Sequence, residues 1–220
     1  MKYMEGNLTT KFKILIPARG GSKRIPNKNV ISINGNPLIS YSIREALKLT
    51  EDVYVSTDCD KIAMVAKEWG AKVIERPSSI SGAHSKTEEA VKHFLELKDT
   101  DMIVVLQATS PLVRYDMISE GIQLLKKYDS VISVCEDRSF YWDSYGKPVN
   151  FIPGERPRTQ DMMPWYKENG AFYITTKESF NKTGLLYSGK AGFVEMSGEE
   201  SIDIDNIEDV KLLKKIIKKF

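Results

Sequence analysis

Residues 13–29 read KILIPARGGSKRIPNKN. An apolar run ends at Pro17, and Gly20 and Gly21 then follow among the cations Arg19, Lys23, Arg24 and Lys28. The run predicts a strand, and the residues after it a loop at the strand's carboxyl end. In an open α/β sheet that end is where ligands bind. Glycines let backbone N–H groups approach an oxyanion, and guanidinium and ammonium groups add charge-assisted hydrogen bonds. The loop reads either as a phosphate cradle or as a basic surface turn, with Pro17 and Pro26 fixing its entry and exit. It contains neither G-x-x-x-x-G-K-[ST] nor G-x-G-x-x-G, so it is not a Walker loop or a dinucleotide fingerprint.

Outward from this stretch, short apolar runs alternate with mixed segments of helical period. PLISYSIREALKL (37–49), DKIAMVAKEWG (60–70), TEEAVKHFLEL (87–97) and YDMISEGIQLLKKY (115–128) read as helices. DVYVSTD (52–58), AKVIERP (71–77), DMIVVLQATSP (101–111) and SVISVCE (130–136) read as strands, the third apolar enough to be buried on both faces. This rhythm predicts an α/β fold with an open, mostly parallel sheet and helices on both sides. It breaks across 136–168, rich in aromatics, prolines and glycines, which reads as an inserted arm. GAFYITT (170–176) resumes a strand, FVEMS (193–197) suggests an edge strand, and IEDVKLLKKIIKK (207–219) a final helix.

Composition narrows the function. Thirty-two basic residues against 30 acidic ones leave a formal charge of +2, so no broad field favours nucleic acid and any anion site is local. The two cysteines, Cys59 and Cys135, lack C-x-x-C spacing, which suits a reducing cytoplasm better than a disulfide scaffold or zinc site. The opening MKYMEGNLTTKF has no apolar leader core and no run approaches membrane-spanning length, so a cytoplasmic protein without a membrane partner is expected.

Near the other end, SIDIDNIED places Asp203 and Asp205 two residues apart. In extended backbone both carboxylates share one side, with Ile202 and Ile204 on the other. Beside a triphosphate such a pair suits Mg²⁺, which takes few protein ligands and completes its shell with water and phosphate. Alternatively, Asp205 or Asn206 caps the last helix. His84 and His93 are the only histidines, and neither stands out as a general base.

Together IPARGGSKRIPNKN, LQATSPLVR, ENGAFYI and SIDIDNIED resemble the CMP-N-acylneuraminate cytidylyltransferases, which activate nine-carbon acidic sugars. The resemblance runs from about residue 12 to 217 and implies a nucleotide-diphosphate-sugar transferase-like core over 12–220, with a dimerisation arm at 136–168 and a homodimer. It also implies CTP as substrate, Mg²⁺ as cofactor and a sugar acid as acceptor. By motif, Ala18, Arg19, Gly20, Gly21, Ser22, Lys28 and Asn29 fall to the nucleotide and its phosphates. Arg76 and Thr87 fall near the cytidine, and Gln107 at the junction of the two substrates. Arg158, Asn169 and Gly170 fall to the sugar acid, and Asp203 and Asp205 to the metal; Arg19, Lys28, Gln107, Asp203 and Asp205 form the catalytic set. The chain departs from the family at Ala108, where proline is common, at Val113, inserted before Arg114, and at His84, where an acid is usual. Related enzymes accept legionaminate, pseudaminate or 3-deoxy-manno-octulosonate, and a non-catalytic nucleotide-sugar binder is a further reading.

Overall fold

The computed structural model describes residues 11–217. Residues 1–10, on which the expectation about a leader falls, and 218–220, the end of the expected final helix, lie outside the described residues. In chain order the elements are β1 (Phe12–Pro17), a ribbon of β2 (Ser32–Ile33) and β3 (Asn36–Pro37), α1 (Leu38–Leu47), β4 (Val53–Thr57), α2 (Asp60–Glu68) and β5 (Lys72–Glu75). There follow α3 (Thr87–Leu97), β6 (Met102–Leu106), α4 (Tyr115–Leu124), β7 (Ser130–Asp137), β8 (Trp165–Thr176), α5 (Lys177–Thr183), β9 (Ala191–Glu195) and α6 (Ile207–Ile216). Among the described residues no helix is long and apolar enough to cross a membrane.

Seven strands form one sheet in the order β5-β4-β1-β6-β8-β7-β9. Only β8 runs against its neighbours, so the mostly parallel α/β architecture predicted from the rhythm is present. Strand alternation sends side chains to two different cores. Ile14, Ile16, Val53, Val55, Val104 and Leu106 join one cluster, on the face of α1, α2 and α4. Leu15, Tyr54, Ile103 and Val105 meet Val91 and Phe94 of α3 and Phe180 of α5 on the other. Every residue of β4 and β6 is buried, the physical reason their sequences read as unbroken apolar runs.

A third, smaller cluster matters for the site. Ile25 from the loop after β1, Ile33 and Leu38 pack with Ile204, Val210 and Leu213. It clamps the first loop to the segment that precedes α6. The ribbon supporting it turns at Asn34 and Gly35, whose φ values of 48° and 92° are those of a tight hairpin.

Residues 138–164 lie between β7 and β8, which pair along their length as far as Asp137 and Trp165. Within this stretch Phe151 makes edge contacts with Phe140 and Trp142, Arg156 lies over Phe140, and Tyr141 stacks on Trp165. Tyr145, Ile152 and Met163 stay exposed.

Candidate active site

Strand order reverses direction between β1 and β6: β4 and β5 lie to one side of β1, and later strands beyond β6. The loops leaving β1 and β6 therefore diverge and leave a crevice at their carboxyl ends. That crevice is a cleft of about 480 Å³. Pro17, Arg19, Ser22, Lys23, Arg24, Lys28 and Asn29 line it from the first loop, Gln107, Ala108 and Thr109 from the second, and Ala83 and His84 from the side.

The first loop is built rather than slack. Asn27 takes a left-handed conformation at φ 56°, which asparagine tolerates better than most residues. A short 3-10 turn, Lys28–Val30, follows, and it directs Lys28 and the buried Asn29 inward. Asn29 Nδ2 donates to Arg19 O at 3.1 Å, fastening the loop across its own mouth. Lys28 Nζ donates to Ile204 O at 2.6 Å and to Asp205 Oδ1 at 3.2 Å. Arg24 Nη2 reaches the same oxygen at 2.9 Å. No carboxylate pairs with Arg19 or Lys23 among the described residues, so both cations face the cleft available to an anion.

The aspartate pair stands in a segment without regular secondary structure, and the buried Ile204 separates the exposed Asp203 from the half-exposed Asp205. Ile204 is fully buried and Ile202 partly so, while Ile204 N donates to Thr109 O at 2.9 Å. Capping of α6 falls to Asn206 and Asp209, which accept each other's backbone N–H groups, and Asp209 also accepts from Asp205 N at 2.8 Å. Asp205 is thus not the cap. Neither aspartate lines the cleft itself; they stand next to it, Asp205 bonded to Lys28 and Arg24 and Asp203 to Thr109. The Asp203 side chain opens to solvent while protein crowds its other side. That desolvation, with Asp205 and Asp209 nearby, holds its carboxyl above the usual carboxylate range despite a bond from Thr109 and the charge of Lys28. A carboxylate can touch solvent and still be desolvated where it lies on a low-dielectric wall.

Carboxylate oxygens are hard donors of the kind Mg²⁺ takes. Asp205 already pairs with Lys28 and Arg24 through Oδ1, while Asp203 has no cation bonded to it among the described residues. No group of three or more acidic, histidine or cysteine side chains gathers among the described residues; for Mg²⁺, whose remaining ligands are water and phosphate, two suffice. Asp203 and Asp205 are the residues that would hold it.

Several expected site residues are placed differently. Gly20 N donates to Asp58 Oδ1 at 2.8 Å and is not free for an oxyanion. Its missing side chain serves packing: a Cβ there would lie 2.8 Å from Cys59 Cβ. Ala18 is buried in the core and its N–H bonds Ser56 O at 2.9 Å, so its side chain and amide face away from the cleft. Gly21 has open space around it, with only Arg19 Nη1 nearby at 3.7 Å. Thr87 opens α3 and does not line the cleft. Arg158 is on the exposed arm, paired with Asp161 at 2.7 Å, and does not reach the cleft of its own chain.

Arg76 occupies a neighbouring hollow with Asp58 and Cys59. It is buried and donates to Ser56 O at 2.8 Å, but its Nε finds no partner. Burial pushes its guanidinium below the usual range, Asp58 opposes that, and Arg19 adds to it. Asn169 Nδ2 donates to Ser201 Oγ at 2.9 Å and Asn169 Oδ1 accepts from Ala171 N at 3.1 Å. Gly170 follows at φ 70°, in the left-handed region that favours glycine, and Gln107 N reaches Ala171 O at 2.9 Å. Asn169 and Gly170 therefore shape the wall beside Gln107 through the backbone. Sequence reasoning passed over Asp58 and Thr109. Asp58 ends the strand DVYVSTD, and Thr109 sits within LQATSP, both at carboxyl ends where site residues concentrate.

Fold and cleft define a nucleotidyltransferase-like α/β protein. A family model described as cytidylyltransferase matches residues 13–183. The chain is 41% identical over 203 residues to N-acylneuraminate cytidylyltransferase A of Danio rerio, a match covering 87% of this chain and 47% of that protein. It is 31% identical over 220 residues to pseudaminic acid cytidylyltransferase of Campylobacter jejuni, covering 93% of this chain and 95% of that one. The chain belongs to the cytidylyltransferase family that these proteins share. It spans about half the length of the Danio rerio relatives. Among solved structures, a CMP:2-keto-3-deoxy-manno-octonic acid synthetase superposes with a TM-score of 0.73 at 17% identity, covering 96% of this chain and 99% of that one. A 4-diphosphocytidyl-2C-methyl-D-erythritol synthase from Anaerococcus prevotii gives 0.68 at 11% identity, covering 95% and 99%. At those identities the likeness is one of fold.

Proposed function

We propose that this chain transfers CMP from CTP to the anomeric C2 hydroxyl of a nine-carbon sugar acid, N-acetylneuraminate or a related nonulosonate, and releases pyrophosphate. One observation carries the reading: Lys28 and Asp205, from opposite ends of the chain, meet at 3.2 Å beside a cleft lined by Arg19, Lys23 and Gln107. Arg19 and Lys23, without carboxylate partners among the described residues, stand there near Asp203 and an Asp205 already paired with Lys28 and Arg24, groups of the two kinds that a metal–triphosphate needs.

In the reaction the C2 oxygen bonds to the α-phosphorus as the bond from that phosphorus to the α–β bridging oxygen breaks. Such transfer depends on positioning and charge stabilisation. Arg19 and Lys28 oppose the charge that grows on the departing pyrophosphate. Gln107, anchored by its backbone to β8, orients groups at the junction of the two substrates. Asp203 and Asp205 would hold Mg²⁺, which when bound would offset phosphoryl charge and acidify the attacking hydroxyl. Arg76 lies on the base side, its buried guanidinium offering Nε as a donor.

Arg158 suits a planar, two-pronged grip on a sugar carboxylate. Because it stands outside its own cleft, it serves that role only where a second copy brings a cleft to it. The exposed Tyr145, Ile152 and Met163 favour an arm over 136–168 that meets such a copy.

The test is pyrophosphate release from CTP and Mg²⁺ with N-acetylneuraminate, legionaminate, pseudaminate and 3-deoxy-manno-octulosonate in parallel. Release with a nonulosonate and recovery of its CMP conjugate supports the reading. Release with the octulosonate alone moves the substrate to the eight-carbon class, and silence with all four from protein that binds CTP favours a nucleotide-binding role.

A further inference from the structure

The segment that carries the aspartates, residues 196–206, joins β9 to α6 without regular secondary structure. Just ahead of the aspartates the chain turns. Ser197 N donates to Glu200 Oε2 at 2.9 Å, Glu200 N to Ser197 Oγ at 3.3 Å, and Ser201 N to Ser197 O at 2.9 Å. The second oxygen of Glu200 accepts from Arg114 Nη1. That guanidinium spends its other edge on Asp116, through Nε at 3.1 Å and Nη2 at 3.3 Å. Asp116 belongs to the first turn of α4, part of the rigid scaffold.

One guanidinium thus grips a scaffold carboxylate with one edge and a loop carboxylate with the remaining nitrogen. The turn is anchored at its two ends, by the buried Met196 before it and by Asn169 on Ser201 Oγ at 2.9 Å, while beside Arg114 and Glu200 lies a hollow of about 270 Å³ walled also by Tyr41, Leu112 and Val113. An ion pair this exposed adds little to global stability. Its effect is on place. Arg114 also ends the loop that begins at Gln107, and Thr109 of that loop holds Ile204 N.

We propose that Arg114 is a positioning residue: held by Asp116 on α4, it latches Glu200 and so sets where the following segment presents Asp203 and Asp205 to the cleft. The inference rests on reading those aspartates as the metal-facing carboxylates of a cytidylyltransferase. Lysine cannot substitute fully, since a single ammonium lacks the fork that holds two carboxylates at once.

The experiment compares wild type with Arg114→Gln, Arg114→Lys and Glu200→Gln by hydrogen exchange over residues 197–206, by Mn²⁺ binding in the presence of CTP, and by the Mg²⁺ dependence of pyrophosphate release. Outer-shell partners of metal carboxylates typically change metal affinity by about 10- to 100-fold. We expect faster exchange across 197–206 and roughly tenfold weaker Mn²⁺ and Mg²⁺ dependence in the two glutamine variants, with Arg114→Lys intermediate. CTP affinity at saturating metal and the unfolding midpoint stay near wild type, the latter within about 3 °C. Unchanged exchange and metal dependence overturn the latch, as does a parallel collapse of folding stability and CTP binding. Should wild type turn over no sugar acid, the activity reading fails, and exchange with Mn²⁺ binding still decides the latch.

Discussion

Lys28 Nζ sits 2.6 Å from Ile204 O and 3.2 Å from Asp205 Oδ1, so one ammonium joins the loop after β1 to the segment of the paired aspartates. The side chain is 15% exposed, which keeps these bonds from being diluted by water. Lys28→Met removes the charge that the proposed reaction sets against phosphate and takes away the ammonium bonded to Ile204 O. The fold should lose about 1–3 kcal/mol in denaturant titrations, and turnover should fall at least about 100-fold. Wild-type pyrophosphate release from this variant would remove Lys28 from the phosphate side.

Gly20 and Gly21 are adjacent and should respond oppositely to alanine. At Gly20 a Cβ meets Cys59 Cβ at 2.8 Å, and the amide that would have to shift is bonded to Asp58. Gly20→Ala should cost about 1–3 kcal/mol, the scale of overpacking, and weaken CTP binding measured calorimetrically. Gly21→Ala meets only Arg19 Nη1 at 3.7 Å and should bind CTP nearly as wild type does. Equal behaviour of the two would show that the loop adapts around Cys59.

The β-α rhythm was legible because β4 and β6 are buried on both faces and so read as continuous apolar runs. Helices such as α3 carry their period and bounds in the sequence alone. Two local signals were readable but passed over: the Asn34-Gly35 hairpin, and α5, capped by Thr176 and closed by Gly184 at φ 69°. Insertion of β8 between β6 and β7 was not legible, since strand order is a property of distant pairings. Within the candidate site, residue types and strand-end placement pointed to Arg19 and Lys28, the two-residue spacing to Asp203 and Asp205, and the family resemblance alone to Gln107. The partner of Gly20 N could not be read, because Asp58 is 38 residues away. Asn206 was one of the two caps read for α6, and the structure selects it, with Asp209 closing the box. That Asp205 goes instead to Lys28 and Arg24, 177 and 181 residues away, was not legible.

Asp203 should trade stability for function. Desolvation and the neighbouring carboxylates raise its carboxyl, so at neutral pH its charge works against folding. Asp203→Asn keeps an acceptor for Thr109 and removes that charge. It should unfold slightly later than wild type at pH 7, by about 0.5 kcal/mol after solvent screening, while turnover falls about 100-fold or more. A raised carboxyl gives wild type stability as pH falls through its folded value, so the advantage of the asparagine variant should shrink in acid. An unfolding gap that stays constant with pH would assign the effect to something other than charge.

Asp52 carries the opposite sign, at the far end of the sheet. It accepts from Lys72 Nζ at 2.7 Å, Lys13 Nζ at 2.9 Å and Tyr54 OH at 3.1 Å. The bonds from Lys72 and then Lys13 hold its carboxyl far below the ordinary range, outweighing partial burial. Lys13, Lys72 and Lys98 all stand 5.4–5.7 Å from the Tyr54 ring centre, so without the carboxylate three like charges share one small surface. Asp52→Asn should destabilise the fold at pH 7 by about 1 kcal/mol, the upper scale for a screened ion pair. A depressed carboxyl contributes its stability above the unfolded value and loses it as pH falls toward the folded one. The difference between wild type and variant should therefore hold from pH 7 to about 5 and narrow below about 4, where the unfolded carboxylate protonates. Added salt should narrow it at neutral pH as well. A difference that persists unchanged in strong acid would mean that Asp52 acts by packing and hydrogen-bond geometry rather than by charge.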